Sequence, residues 1–160
     1  MKKIFLAAFA GTLLLTSCAG VNNAKTAQNN RAEYLKLKGN WELSSIDYDK
    51  NYKVKPFDEG ADASCFVGSQ WKLVPNNYSG SYTLNGGGDC PTTTQPIKFE
   101  VVNGSEFKFK KIVDGTKAKQ NVSGYSLQLV NQSDAYFSLE QNIPSGGEYV
   151  KIIYHFNKVN

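Results

Sequence analysis

The chain has 160 residues and a formal net charge of +4, with 41% hydrophobic and 20% charged residues. That length accommodates one compact domain, and the composition excludes both a disordered chain and a bundle of membrane helices. Aromatic residues make up 12% of it, as nine Tyr, nine Phe and two Trp, beside three Cys and one His.

Lys2 and Lys3 precede an apolar run from Ile4 to Leu15, broken only by Gly11 and Thr12. The run is too short to span about 30 Å of hydrocarbon and suits the apolar region of a signal peptide. Leu15-Thr16-Ser17-Cys18 follows. It resembles the lipobox of bacterial lipoproteins: a branched residue, two small ones, then the modified cysteine. The resemblance implies cleavage before Cys18, a diacylglycerol on its sulfur and an acyl chain, such as palmitate, on the new amine. The rival reading is an ordinary signal peptide with a cysteine near the cut. Cleavage removes 17 residues including Lys2 and Lys3, which lowers the net charge from +4 to +2. So small a charge gives no nucleic-acid footprint. Three acyl chains hold a protein to a bilayer, since each buried CH₂ contributes about 0.8 kcal/mol.

Ala19 to Asn30 is small and polar and reads as a flexible tether. The expected organisation is a signal peptide over 1–17, a lipidated tether over 18–33 and a β-barrel domain over 34–160. In lipoprotein families an Asp after the cysteine favours inner-membrane retention, and an acidic run marks surface export. Cys18 is followed by neither. The outer membrane, facing the periplasm, is the expected location.

From Gly39 the chain alternates and turns like an antiparallel β protein. Trp41, Leu43 and Ser45 alternate with Glu42, Ser44 and Ile46 in a first strand. Gln70 to Val74 is a second. Tyr78, Gly80, Tyr82 and Leu84 share one face of a third. Ile97, Phe99 and Val101 share a face of a fourth, and Asn103-Gly104 is a hairpin turn. Phe107 and Phe109 face away from Lys108 and Lys110 in a fifth, which Asp114-Gly115 ends. Val122 to Val130 is a sixth, with Tyr125, Leu127 and Leu129 in phase. Ala135 to Glu140 is a seventh. Tyr149 to Lys158 is an eighth, with Val150, Ile152, Tyr154 and Phe156 in phase. Eight strands at meander spacing predict an all-β fold, an eight-stranded antiparallel up-and-down barrel or a two-sheet sandwich. Tyr52 to Lys55 is a candidate extra strand, Ala61 to Val67 a candidate helical turn, and Tyr34 to Lys38 a candidate lid.

In an oxidising compartment Cys65 and Cys90 are expected to form a disulfide, which for a loop of about 25 residues contributes about 3 to 4 kcal/mol. Free redox thiols are the rival, but neither cysteine sits in a C-x-x-C motif. One His and two thiols support no zinc site.

Leu37-Lys38-Gly39-Asn40-Trp41 carries a G-x-W at the start of the first strand. It resembles the lipocalin signature, which implies that Gly39 permits the lead-in turn and Trp41 closes the barrel floor. With Cys18 and Cys65, the chain looks most like the lipocalin-like lipoproteins of Bacteroidetes-type bacteria, over about residues 35–160. That resemblance implies an up-and-down barrel and a small hydrophobic ligand. Larger lipocalins pack an Arg from the last strand over the Trp. Here the only arginine is Arg31, leaving Lys158 or His155 as substitutes. A META-type domain, which also begins with Leu-x-Gly-x-Trp, is the second structural reading.

The residues offer little catalysis. A single His must fill every role in a Ser-His-Asp order, so His155 is read as a half-exposed barrel residue. Asp58, Glu59 and Asp62 lack calcium-loop spacing and read as a solvated loop face. Gly86-Gly87-Gly88 has no following Lys-Ser/Thr and reads as a hairpin tip. Lys108, Lys110 and Lys111 read as a solvated strand face. No catalytic residue, metal site or cofactor is assigned.

The aromatics carry the functional signal. Trp41, Tyr82, Phe99, Phe107, Phe109, Tyr125 and Tyr154 fall on apolar phases of several strands. An eight-stranded barrel is either just filled or holds one small ligand. The first function is therefore a membrane-anchored barrel that binds a small hydrophobic ligand among these rings. The alternative is a non-catalytic envelope lipoprotein with a filled barrel that contacts a protein partner through loops such as 49–69.

Overall fold

Period-two alternation decides the architecture. The computed structural model describes residues 18–113, 115, 118–120 and 124–159, apart from the side chains of 18–21 and 118. The expected signal peptide over 1–17, Asp114 and the expected start of the sixth strand at Val122 lie outside the described residues.

Eight strands, β1 (Gly39–Asp47), β2 (Gln70–Val74), β3 (Ser79–Gly87), β4 (Cys90–Val102), β5 (Glu106–Lys111), β6 (Tyr125–Val130), β7 (Tyr136–Ser145) and β8 (Glu148–Val159), pair in chain order. β8 returns to pair with β1, from Asn40 opposite Val159 to Asp47 opposite Ile153. The sheet is a closed antiparallel up-and-down barrel, and closure removes every free edge. The expected phases bury Tyr82, Leu84, Ile97, Phe99, Phe107, Phe109, Ile152, Tyr154 and Phe156 inside it.

The first strand departs from its expected phase. Trp41 and Leu43 point inward, but the register shifts between Leu43 and Ser45. Ser45 is exposed and Ile46 is buried. A bulge adds one residue to a strand, which reverses the parity of everything beyond it. Two strands are longer than expected. β4 begins at Cys90, through Thr92-Thr93-Thr94, whose β-branched side chains fit a pleated surface. β7 continues past Glu140 to Ser145 because β8 supplies a ladder partner at each step. Residues 52–55 form no strand, whereas Ala63–Phe66 is one turn of helix, α2.

A helix, α1 (Cys18–Lys36), stands where a flexible tether was expected. Four Ala recur along it beside Lys25, Gln28, Arg31, Glu33 and Lys36, and these residues lose little freedom in a helix. Residues 22–29 are exposed on every side, so no face of that part packs against the barrel. Only the last turn docks. Tyr34 and Leu37 are buried at one end of the barrel, where Gln132 Nε2 donates to Glu33 O at 2.7 Å. Tyr34 packs on Tyr78 and Phe99, with ring centroids 5.9 and 5.7 Å away. The Asn103-Gly104 turn lies at the same end, with both residues at positive φ.

The opposite end carries the long loop 48–69. Cys65 of α2 is bonded to Cys90 at the start of β4, which ties this loop to the β3–β4 hairpin. The expected disulfide is therefore present, and it holds the loop beside the barrel mouth.

Candidate functional site

Inward strand positions near the mouth carry Tyr82, Phe109, Tyr125 and Tyr154. The space between them is occupied by Phe57, a loop residue. Its ring stacks on Tyr154 at 5.1 Å and meets Phe109 and Tyr125 edge-on at 5.0 and 5.4 Å. Trp71 and Phe66 close around it at 5.9 and 5.7 Å. Phe57 is 3% exposed, which makes it a plug and not a surface loop residue.

The plug is held in an uncommon backbone conformation. Phe57 and Asp58 both lie in the left-handed region, at φ 55 and 53. Each such non-glycine residue costs about 1 kcal/mol or more. Polar side chains offset this. Tyr125 donates its hydroxyl to Phe57 O at 2.8 Å and to Asp58 Oδ2 at 2.9 Å. Lys111 Nζ donates to Phe57 O at 2.8 Å and to Glu59 Oε1 at 3.0 Å. The Tyr82 hydroxyl donates to the same Glu59 oxygen. Tyr154 donates to Gln141 Oε1 at 2.9 Å.

Burial sets the chemistry of these phenols. Desolvation pushes Tyr82, Tyr125 and Tyr154 well above the ordinary tyrosine value, and the carboxylates of Glu59 and Asp58 push the first two further. They remain neutral donors at the mouth. An apolar pocket with a few convergent polar groups is the usual form of a small-molecule site.

The seven aromatics proposed for a cavity divide into two groups. Tyr82, Phe109, Tyr125 and Tyr154 surround Phe57. Trp41, Phe99 and Phe107 lie toward the other end. Trp41 meets Phe137 at 4.7 Å and donates Nε1–H to Leu37 O at 2.8 Å, and Phe99 stacks on Phe107 at 5.3 Å. Lys158 Nζ sits 5.1 Å from the Trp41 ring centroid, so a lysine fills the place of the missing arginine. A Cβ on Gly39 would lie 3.1 Å from Lys158 Cε, and its φ of +139 also favours glycine. The G-x-W spacing thus serves both backbone turn and cation contact.

Other site residues escaped sequence reasoning. Trp71 stacks on Tyr82 at 4.7 Å and Phe137 on Phe156 at 4.5 Å. Strand phase could have revealed Trp71 and Phe137, since Trp71 shares a face with Leu73 and Phe137 with Leu139. Phe57 had no such signal. Lys111 and Glu59 correct two expectations. Lys111 follows Phe107 and Phe109 in phase, so it points into the mouth while Lys108 and Lys110 sit on the other face. Glu59 is not on a solvated face: its side chain is 14% exposed and the Lys111 side chain 24%. Among the described residues no cluster of His, Cys, Asp and Glu could hold a metal ion.

The single histidine joins an unexpected line of groups on the outer wall. Ser138 Oγ lies 2.9 Å from His155 Nδ1, and His155 Nε2 lies 3.0 Å from Asp47 Oδ2. Ser138 is 3% exposed, so the hydroxyl is closed to a substrate carbonyl. The line links β1, β7 and β8. A groove of about 520 Å³ also lies on the outer wall, where Lys98, Glu100, Lys108 and Lys119 line it with Tyr78 and Ser126.

A model of the lipocalin-like domain matches residues 37–134. Of the two resemblances of the Leu-x-Gly-x-Trp segment, this is the lipocalin-like one. Among solved structures, a complex of bovine odorant-binding protein with a selenium-containing odorant is similar at 10% identity and a TM-score of 0.45, over 78% of this chain and 74% of that chain. Lobster apocrustacyanin A1 is similar at 12% identity and a TM-score of 0.48, over 89% of this chain and 72% of that chain. No curated protein matches.

Proposed function

The chain belongs to the lipocalin-like domain family, and on that premise we propose that it is a non-catalytic binding module that holds a small hydrophobic ligand in the ring-lined mouth of its barrel. The observation that carries the reading is Phe57. A benzyl side chain from a loop, not from a strand, fills the space between Trp71, Phe109, Tyr125 and Tyr154. It occupies the place a ligand would take.

Magnitudes set what exchange requires. Burying a phenylalanine side chain contributes about 1.5 to 3 kcal/mol, and favourable ring pairs add about 0.5 to 1.5 kcal/mol each. Two consecutive left-handed residues cost about 1 to 3 kcal/mol each. The strain opposes the ring contacts, while the bonds from Tyr125, Lys111 and Tyr82 add to them, so a ligand that displaces the loop has to replace both the ring contacts and part of the polar ones. The Cys65–Cys90 bond holds the far side of the loop in place as it moves.

The lipobox-like segment supports an anchor at Cys18 and attachment to the outer membrane through acyl chains, facing the periplasm. Palmitate labelling that persists in a Cys18→Ser variant would remove this part of the proposal.

The binding test uses Phe57→Ala. Native mass spectrometry and thermal melting against a panel of fatty acids and compact aromatic compounds should reveal a bound species or a raised melting temperature. If wild type and variant both stay empty and unshifted, the filled-barrel alternative replaces this reading, with loop 48–69 as a protein contact.

A further inference from the structure

We propose that the ligand of this mouth is a compact aromatic carboxylate, whose ring replaces Phe57 and whose carboxylate replaces that of Glu59 between Lys111 and Tyr82. This rests on reading the mouth as a ligand site, and adds to it the chemical class of the ligand.

The argument begins with what the loop takes away when it leaves. Lys111 points into the mouth and its side chain is 24% exposed. Its ammonium donates to Phe57 O at 2.8 Å and to Glu59 Oε1 at 3.0 Å. Both acceptors belong to the loop that carries the plug. The Tyr82 hydroxyl is in the same position, since its acceptor is that Glu59 oxygen and its ring is buried. Withdrawing residues 57–59 therefore removes a ring from an aromatic box and an anion from a half-buried cation in one movement.

A neutral apolar ligand would restore the ring contacts only. Lys111 and Tyr82 would keep donors without acceptors at partly buried positions, and an unmade hydrogen bond at such a donor weakens binding. A ligand carboxylate restores the bonds of Lys111 and Tyr82 with one negative charge, and Tyr125, which also loses its loop acceptors, is only partly buried and can turn to water. A phosphate would bring a second charge, and the mouth has no arginine fork to receive it. A cation is excluded by Lys111 itself.

Shape narrows the class further. The rings of Tyr154, Phe109, Tyr125, Phe66 and Trp71 stand 5.0 to 5.9 Å from the Phe57 centroid. These are the spacings of stacked and edge-on aromatic pairs, so the box is shaped for one flat ring. Beyond it, toward the closed end, Trp71 meets Phe156 at 5.3 Å and Phe156 stacks on Phe137 at 4.5 Å. That packing stops a long chain from running down the barrel. Residues 57–59 thus act as a built-in stand-in for the ligand, and the resting protein is self-occupied.

The test is calorimetric titration of the purified protein with phenylpropionate and with phenylpropanol, which share a ring and differ in the carboxylate. Glu59→Gln keeps the size of the side chain and removes its charge. Because it weakens the loop that either probe must displace, it should raise the affinity for both roughly tenfold, as expected for a hydrogen bond to a charged group, and keep the wild-type preference for the acid. Phe57→Ala should tighten both, and Lys111→Met should abolish the preference for the acid. Circular dichroism checks that each variant keeps its strands. Equal binding of acid and alcohol, or no change in Glu59→Gln, overturns the carboxylate inference and leaves an apolar site standing. Failure of every folded variant to bind either probe overturns the inference and the binding function together.

Discussion

The ammonium of Lys158 lies 5.1 Å from the centroid of the Trp41 ring. Trp41 also pairs across the β1–β8 seam with Lys158, so the contact sits where the last strand closes on the first. It joins the first and last strands, which only barrel closure brings together.

Lys158→Ala is expected to lower stability by about 0.5 to 1 kcal/mol, and Lys158→Arg to retain most of it, because either cation can face the indole. A denaturation double-mutant cycle with Trp41→Phe measures the coupling. A coupling energy of zero would show that the two side chains are neighbours without interaction.

Alkaline pH should unfold the protein through its buried phenols. Burial holds Tyr34 up to about 12, and Tyr82, Tyr125 and Tyr154 are raised as well. A phenol raised in the folded state contributes its stability in full below the unfolded value of about 10. That contribution is lost as pH rises through the folded value, because the unfolded chain ionises first. Stability should therefore fall from about pH 10 upward, with part of the tyrosinate absorbance appearing only as the strands are lost. Ionisation of every tyrosine near pH 10 with an intact barrel would contradict this.

Removal of the disulfide should loosen the mouth more than the barrel. Cys65→Ser with Cys90→Ser opens a loop with a sequence separation of 25 residues. About 3 kcal/mol of stability should be lost, read from the urea midpoint. Hydrogen exchange should rise first in 48–69 and leave β5 to β8 protected. Uniform loss of protection along the chain would instead make the bond part of the global core.

The Asn103-Gly104 turn gives two substitutions of opposite sign. Gly104 has φ +74, and a Cβ there would approach Asn30 Oδ1 to 2.6 Å. Asn30 can swing aside, but the backbone strain stays, so Gly104→Ala should cost about 1 kcal/mol. Asn103 has φ 52, and Asn103→Gly removes a left-handed non-glycine residue. It should be neutral or stabilising by a few tenths of a kcal/mol, because the entropy of the added glycine offsets part of the relief. Thermal melts of both variants decide this.

The barrel was legible because its information is local. Tyr154 and Phe156 fall two residues apart, and so do Phe107 and Phe109, and a strand puts such residues on one face wherever it lies. The β1 bulge was not legible, because it depends on how Leu43 and Ser45 meet β8. The helical form of 18–36 was not legible because 19–30 is small and polar and carries no apolar face.

The sequence by itself determined the eight strands, most of the inward phases and the G-x-W turn, which follow from periodicity or from a residue's own conformational limits, and the cysteine pair, which follows from setting Cys18 apart from the other two. Tertiary structure alone decided what fills the barrel. Phe57 and Tyr154 meet across most of the domain, and Lys111 finds Glu59 across a separation of 52 residues. No local pattern encodes a contact of that range. It exists because a closed ring of strands leaves one apolar space at its mouth, and the tethered loop beside it carries a ring and a carboxylate of suitable shape and charge.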